Sequence, residues 1–158
     1  MLDDIKKKLE LLNEVKESDK DIIKSADDFI KVVSYLDAKK KAAVIESLKG
    51  NLHNIIKSVD DFIKVIIFLD AEQKAAVVEY LKSDFNNIIK SRYDFKDVIY
   101  HLNAEQITVV CESLKGNLHN IIKSSYDFID VIHYLNTEQI TAVYEPLKGE
   151  IRSSLMSK

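Results

Sequence analysis

Cysteine, proline and glycine are scarce in this sequence, and tryptophan is missing. One cysteine among 158 residues excludes an internal disulfide framework and fits a reducing compartment. One proline and three glycines leave little material for long turns, so helices with short connections are expected. No run of about 18 apolar residues occurs, so the sequence contains no candidate membrane span. These absences predict a soluble, cytoplasmic, all-helical protein.

Signatures of catalysis and of cofactor binding are also missing. The sequence has no glycine-rich phosphate loop, no nucleophile elbow and no zinc-ligand spacing, so no catalytic, metal or cofactor-binding residue is predicted. The single thiol, Cys111, occupies a column that other copies fill with Ile45 and Val78, which indicates packing. The 23 basic and 26 acidic residues leave a net charge of -3, which argues against binding through nucleic-acid phosphates.

An internal repeat of 33 residues runs through the chain. Twelve of the 33 columns are identical in four copies, which indicates duplication. The recurring phenylalanines mark the copies: Phe29, Phe62, Phe95 and Phe128. We assign all 158 residues to a single domain, residues 1–158, with a partial N-terminal copy at 4–20, full copies at 21–53, 54–86, 87–119 and 120–152, and a tail at 153–158.

Each copy contains two segments with helical period. Phe62, Val65, Ile66 and Leu69 fall on one stripe of a helix, and the next segment opens with the spacing of an N-terminal capping box. Gly50, Gly116 and Gly149 follow this second segment, where a left-handed cap is expected. Because one copy cannot bury its stripe alone, the predicted fold is an α-solenoid of helical hairpins. A closed helical bundle is the alternative.

The piece between the two segments is ambiguous. Leu52 and Ile55 continue the stripe of Phe62 in register, which favours one long helix from about residue 51 to residue 69. The alternative is a short helix that ends near Ser58, which then caps a new helix through Asp61. The other recurring aspartates at this position are expected to serve as caps in the same way.

Two further expectations concern the core and the last copy. Phe62 and Phe95 are expected to be almost fully buried, whereas Phe29 and Phe128 lie nearer the ends and should contribute less to stability. Pro146 stands inside the last amphipathic segment, where it removes one helix hydrogen bond. It therefore predicts a kink or an early end of that helix.

A set of columns opposite the phenylalanine stripe differs between copies. The first two copies carry Asp, Lys, and Ser or Ile there, whereas the last two carry aromatic and acidic residues. Exposed aromatics grouped on one face are typical of recognition surfaces. The alternative is that these tyrosines pack against neighbouring copies. The candidate partner-binding residues are Tyr93, Asp97, Tyr100, Tyr126, Asp130 and His133.

Three short patterns, L-[DN]-x-E-Q, V-x-E-x-L-K and I-I-K-S-x-x-D-F, together resemble α-helical repeats of secreted effector proteins from intracellular bacterial pathogens. The resemblance covers nearly the whole chain, although Lys39 and Lys40 replace Glu-Gln in the first full copy. It implies an interaction module without an active site, secreted into a host cell without a conventional signal peptide. The length and the Glu-Gln opening are also similar to TAL-effector DNA-binding repeats, but the stretch LKGNLHN lacks their Gly-Gly-Lys-Gln loop.

The sequence therefore predicts a non-enzymatic scaffold that binds another protein, with a host protein as the partner that the effector resemblance implies. A nucleic-acid-binding solenoid and an enzyme without a recognisable motif are the alternatives. The partner's identity and the oligomeric state stay open.

Overall fold

The computed structural model describes residues 22–156, and the predicted partial copy at residues 4–20 lies outside the described residues. Within the described range every regular element is a helix, which confirms the all-α prediction. In the same range, no helix combines the length and the apolar character that crossing a membrane requires.

Three kinds of helix alternate, and each kind recurs at intervals of 33 residues. The Phe helices each carry one recurring phenylalanine: α1 (Ala26–Val33), α4 (Val59–Ile66), α7 (Arg92–Tyr100) and α10 (Ser125–Ile132). The long helices follow them: α2 (Ala38–Ser47), α5 (Ala71–Tyr80), α8 (Ala104–Ser113) and α11 (Thr137–Met156). The connector helices span four residues each: α3 (Leu52–Ile55), α6 (Phe85–Ile88) and α9 (Leu118–Ile121), with a short 3-10 turn at Lys115–Asn117 before α9.

The segment from residue 51 to residue 69 is two helices, so the favoured prediction of one long helix is wrong. Ile56 is extended, with φ -108° and ψ 99°, and Ser58 is an extended N-cap. The Asp61 amide donates to Ser58 Oγ at 3.1 Å, and the Lys57 amide donates to Asp61 Oδ2 at 3.0 Å. These two bonds satisfy the amides at the start of α4, so a new helix begins here although the apolar stripe stays in register.

The same cap opens every Phe helix. The lysine amide that precedes each N-cap serine donates to the third helical residue, an aspartate, at 3.1 Å in the first copy and 2.9 Å in the last two. Each of these aspartates donates its own amide to the serine hydroxyl. The prediction that the recurring aspartates serve as caps is confirmed, and the identical Lys, Ser and Asp columns are explained.

A second cap opens the long helices and also joins one copy to the next. Gln73 Oε1 accepts from the Asp70 amide and Gln139 Oε1 accepts from the Asn136 amide, which completes the predicted capping boxes. The free end of each side chain then donates to the preceding long helix, from Gln73 Nε2 to the Ala38 carbonyl at 2.9 Å and from Gln139 Nε2 to the Ala104 carbonyl at 2.7 Å. Both glutamines are buried, so the glutamine of the Glu-Gln motif is part of the core, while the glutamates Glu72 and Glu138 are exposed.

The helices divide into two compact units, with the boundary between Leu81 and Lys82. In the first unit, Phe helix α1 packs on Phe helix α4, and long helix α2 packs on long helix α5. In the second unit, α7 packs on α10 and α8 packs on α11. Each unit therefore places like helices against like helices, while the assignment of residues 1–158 to one domain stays a prediction.

The identical apolar columns supply the core. Phe29, Phe62 and Phe95 are completely buried, and Phe128 is half-buried. The burial of Phe29 argues against the smaller contribution expected for it. Four other columns are identical and buried in all four copies: Ile23, Ile56, Ile89 and Ile122; Val32, Val65, Val98 and Val131; Val44, Val77, Val110 and Val143; and Leu48, Leu81, Leu114 and Leu147. These fixed apolar columns form the core, because every copy must fill the same space.

The predicted left-handed glycine caps are wrong, and so is the predicted early end at Pro146, while the kink there stays a prediction. None of the described residues has a positive φ, so Gly50 and Gly116 are not left-handed caps; α2 ends instead at Leu48, with φ -96° and ψ 4°. α11 does not end early at Pro146 but runs through the predicted tail to Met156. Asn51 and Asn117 hold a non-helical conformation after their long helices, with φ -123°, whereas the last copy has Glu150 at this position, a good helix former.

Candidate partner-binding surface

The two Phe helices of the second unit carry an exposed aromatic surface. Tyr93, Tyr100 and Tyr126 expose 60%, 74% and 65% of their area, and we call these three residues the aromatic face. These fractions rule out the alternative that neighbouring copies bury the tyrosines. Asp97 and His133 are also exposed, whereas Asp130 is half-buried.

A group of four charged side chains lies between α7 and α10. Arg92 Nη1 bonds to Asp127 Oδ1, and Arg92 Nε lies 3.1 Å from Asp130 Oδ2. Lys96 Nζ lies 3.0 Å from the same Asp130 oxygen. We call Arg92, Lys96, Asp127 and Asp130 the ionic cluster. Each of the four side chains is less than one third exposed, so these pairs are screened less by water than pairs on an open surface.

The ionic cluster also contacts the tyrosines. The Arg92 guanidinium lies 4.6 Å from the ring centre of Tyr93 and 5.8 Å from that of Tyr126. Lys96 Nζ lies 5.9 Å from the ring centre of Tyr93 and 5.8 Å from that of Tyr134. The Tyr93 hydroxyl also accepts a hydrogen bond from Arg92 Nη2 at 2.8 Å. Two members of the aromatic face are therefore held in place by cation–π contacts while their rings stay open to solvent.

The protonation of the ionic cluster follows from these contacts. The hydrogen bond from Lys96 lowers the pKa of Asp130, and the positive charges of Lys96 and Arg92 add to that effect against partial desolvation. The same bond raises the pKa of Lys96. Partial desolvation acts to lower the pKa of Arg92, but the charges of Asp127, Tyr93 and Asp130 outweigh it, and the pKa is raised. All three groups are therefore charged at neutral pH.

Sequence reasoning found the exposed tyrosines but missed Arg92 and Lys96, which contact them, and Tyr134, which contacts Lys96. A signal for the two cations was present in two columns of the repeat. The column of Arg92 holds Ala26 and Val59 in the first two copies, and the column of Lys96 holds Ile30 and Ile63. A cation that replaces apolar residues of the earlier copies marks a place where a carboxylate must lie nearby.

The first unit presents a different surface at the same columns. Its one ion pair among the described residues of α1 and α4 joins Lys64 Nζ to Asp27 Oδ1 at 3.6 Å, and both side chains are more than half exposed. Tyr35 is 62% exposed, a fraction similar to those of the three tyrosines of the aromatic face. Among residues 22–156 no cation–π contact of Tyr35 is found, so Tyr35 is the exposed-tyrosine control for the experiments below.

A cleft of about 390 Å³ lies in the first unit between α2 and α5. Ala38, Ala42 and Ala76 form its apolar part, and Tyr80 donates a hydrogen bond to Glu46 at its edge. That bond, with partial burial, raises the pKa of Tyr80. The neutral phenol of Tyr80 and the carboxylate of Glu46 do not form an acid–base pair suited to neutral pH.

The thiol of Cys111 and the potential metal ligands of the described chain offer no reactive site. Cys111 is buried, and its desolvation, with the charge of Glu112, raises the pKa of the thiol to about 12. The thiol is therefore protonated and unreactive at neutral pH. Among the described residues, no group of three or more His, Cys, Asp or Glu side chains is placed to hold a metal ion.

Comparison of the chain with known protein families, with curated proteins and with solved structures finds no match.

Proposed function

We propose that this protein is a non-enzymatic scaffold that binds another protein through the aromatic face, with Asp97, Asp130 and His133 beside it. The observation that carries the proposal is the exposure of Tyr93, Tyr100 and Tyr126 on two helices that pack side by side. Tyrosine offers a large contact area at a low entropy cost and keeps a hydroxyl for hydrogen bonding, which is why it is enriched at binding hot spots.

The ionic cluster supports the proposal because it prepares the surface for binding. A free surface tyrosine loses side-chain entropy when a partner covers it. The rings of Tyr93 and Tyr126 are already restrained by the Arg92 guanidinium at 4.6 Å and 5.8 Å. Part of the side-chain entropy of these two tyrosines is therefore already lost on folding. Binding then costs less entropy, and the binding free energy is more favourable.

The architecture that we propose for the scaffold is an α-solenoid. Its support is the 33-residue spacing of all three kinds of helix and the packing of like helices inside each unit. Repeats of this kind contact mainly their neighbours and offer extended binding surfaces. The resemblance to effector repeats supports a host protein as the partner, which belongs to the same proposal.

The experiment is site-specific photocrosslinking in a lysate, with a photoreactive phenylalanine analogue at position 100 and, as the control, at position 35. Capture from position 100 should give a discrete protein adduct that position 35 does not give. The adduct partner is then titrated against the wild type, Tyr100→Ala with Tyr126→Ala, and Tyr35→Ala. The double variant should lose about 2 kcal/mol or more of binding free energy.

Three outcomes contradict the proposal. The partner binds the double variant normally, Tyr35→Ala weakens binding as much, or nuclease treatment abolishes capture. The last outcome would mean that the chain binds nucleic acid. The two cations nearest the aromatic face, Arg92 and Lys96, are already paired with carboxylates, which disfavours phosphate binding there.

A further inference from the structure

Asp97 and Asp130 occupy the same column in consecutive copies, yet only one of them has a cationic partner. Asp130 accepts Lys96 Nζ at 3.0 Å and Arg92 Nε at 3.1 Å, and both cations come from the preceding Phe helix. Tyr126, four residues before Asp130, lies 5.8 Å from the same guanidinium. At this position, basic side chains of the same chain therefore contact both a carboxylate and the tyrosine four residues before it.

Asp97 stands in a similar local setting, but no basic side chain of residues 22–156 pairs with its carboxylate, although Arg92 and Lys96 already contact the neighbouring Tyr93 ring. Tyr93 precedes it by four residues, as Tyr126 precedes Asp130, and Tyr100 follows it by three on the same helix face. One copy earlier, the columns that supply Arg92 and Lys96 carry Val59 and Ile63, which have no charge. Asp97 is exposed, and within residues 22–156 no ion pair or hydrogen bond of its side chain is found.

The charge balance of the two helices leaves a carboxylate without a cation. α7 and α10 carry Asp94, Asp97, Asp127 and Asp130 against Arg92 and Lys96, so acidic residues exceed basic ones by two, four minus two. Asp94 is used at the helix start, where it accepts the Lys90 amide at 2.9 Å. Asp97 is the carboxylate that is left for a ligand.

We propose that Asp97, with Tyr100 on the same helix face, binds a basic side chain, arginine or lysine, that the partner protein presents. This inference rests on the proposed function and gives the partner its chemistry. A guanidinium or ammonium group forms a charge-assisted bond to the carboxylate, and the exposed ring of Tyr100 adds cation–π attraction. At Asp130, the carboxylate bonds to both Arg92 and Lys96, and the tyrosine four residues before it lies 5.8 Å from the Arg92 guanidinium.

The test is a selection of random displayed peptides on the immobilised full-length chain. The affinity of each recovered peptide is then measured by fluorescence anisotropy. Four proteins are compared: wild type, Asp97→Asn, Tyr100→Ala with Tyr126→Ala, and the control Asp60→Asn. Asp60 is an exposed aspartate of α4, so the control makes the same change of charge in the other unit. Each peptide is also synthesised with citrulline in place of arginine, or with norleucine in place of lysine.

The expected result is a set of peptides with one required basic residue. Asp97→Asn weakens their binding about tenfold, Asp60→Asn leaves it within about twofold, and the neutral peptides bind the wild type and Asp97→Asn equally. Added salt weakens the wild-type complex. Circular dichroism confirms that each variant is folded.

Three other results overturn the inference in distinguishable ways. Peptides that depend on Tyr100 and Tyr126 but need no basic residue overturn it and leave the proposed function standing. Peptides that bind the tyrosine double variant normally count against both. A selection that returns no peptide dependent on Asp97 overturns the inference as well.

Discussion

The side-chain amide of Gln139 donates to the main-chain carbonyl of Ala104 at 2.7 Å and so joins the start of one long helix to the start of the preceding one. The same amide nitrogen lies 3.2 Å from Thr108 Oγ1, and Gln139 Oε1 accepts the Asn136 amide at 2.9 Å. One buried residue therefore completes its own helix cap and fixes the register between two copies.

Replacing Gln139 should destabilise the second unit. Gln139→Ala leaves the Asn136 amide and the Ala104 carbonyl without this partner, so we expect a loss of about 1–3 kcal/mol in the free energy of unfolding. The exposed neighbour gives the control, since Glu138→Ala should change stability by no more than about 0.5 kcal/mol. Urea unfolding followed by circular dichroism measures both. Equal losses would show that the bond to Ala104 contributes nothing.

The phenylalanine column should show graded losses that follow burial. Phe95→Ala and Phe29→Ala remove completely buried rings, so each should cost about 3–5 kcal/mol. Phe128 is half-buried and should cost less. Thermal and urea unfolding of the three variants measure the order. A loss at Phe128 as large as that at Phe95 would contradict the observed burial.

The ionic cluster should matter more for stability than the ion pair of the first unit. Arg92→Ala leaves the buried Asp127 without its guanidinium partner, so the unfolding midpoint should fall. Lys64→Ala removes an exposed pair at 3.6 Å and should leave the midpoint nearly unchanged. Differential scanning calorimetry compares the two variants. The tyrosine near-ultraviolet signal should change only in Arg92→Ala, because Arg92 holds the Tyr93 ring.

The lowered pKa of Asp130 predicts a definite acid dependence. A carboxylate whose pKa is lower in the folded chain than in the unfolded chain adds stability above its unfolded value, about 4. That contribution is lost as the pH falls through the lower folded pKa. Asp130→Asn should therefore be less stable than the wild type at neutral pH, and the difference should shrink on acidification. A difference that is constant with pH would contradict the assignment.

Deleting one copy tests the architecture. Removal of residues 54–86 joins His53 to Asn87 and keeps the 33-residue spacing, so a solenoid should stay helical and unfold cooperatively with lower stability. A deletion of residues 54–69 breaks the spacing and serves as the control. Circular dichroism and urea unfolding measure the outcome. Failure of both deletions to fold would favour a closed bundle.

Local signals predicted the all-helical fold, the caps and the buried phenylalanines, because each of these leaves a fixed residue in every copy. The break between Ile55 and Val59 was misjudged because the stripe of Leu52 and Ile55 continues in register with Phe62. An extended residue at Ile56 can keep the same side of the chain buried, so periodicity alone does not distinguish one helix from two. The Lys57, Ser58 and Asp61 pattern was the better guide.

The candidate surface was predictable only where side chains face outward. Tyr93 and Tyr126 stood out because they replace aspartates of the earlier copies, and Tyr100 because its column changes from Ser34 and Ile67. The contact of Tyr126 with Arg92 depends on how two helices pack, since the two residues lie more than 30 positions apart in the sequence. A comparison of whole columns would have exposed the cations. It would not have told which carboxylate each of them reaches.

Because Cys111 is buried, the labelling of its thiol reports when the surrounding helices open. With a pKa of about 12 and almost no exposed area, the thiol reacts with an alkylating reagent only when the surrounding helices separate. Because the sequence has no other cysteine, the labelling rate counts openings of the second unit alone. Mass spectrometry of the labelled chain would therefore measure the opening rate of this unit. Comparison of the rates with and without a bound partner would show how strongly the partner slows opening, and no substitution in the sequence is needed.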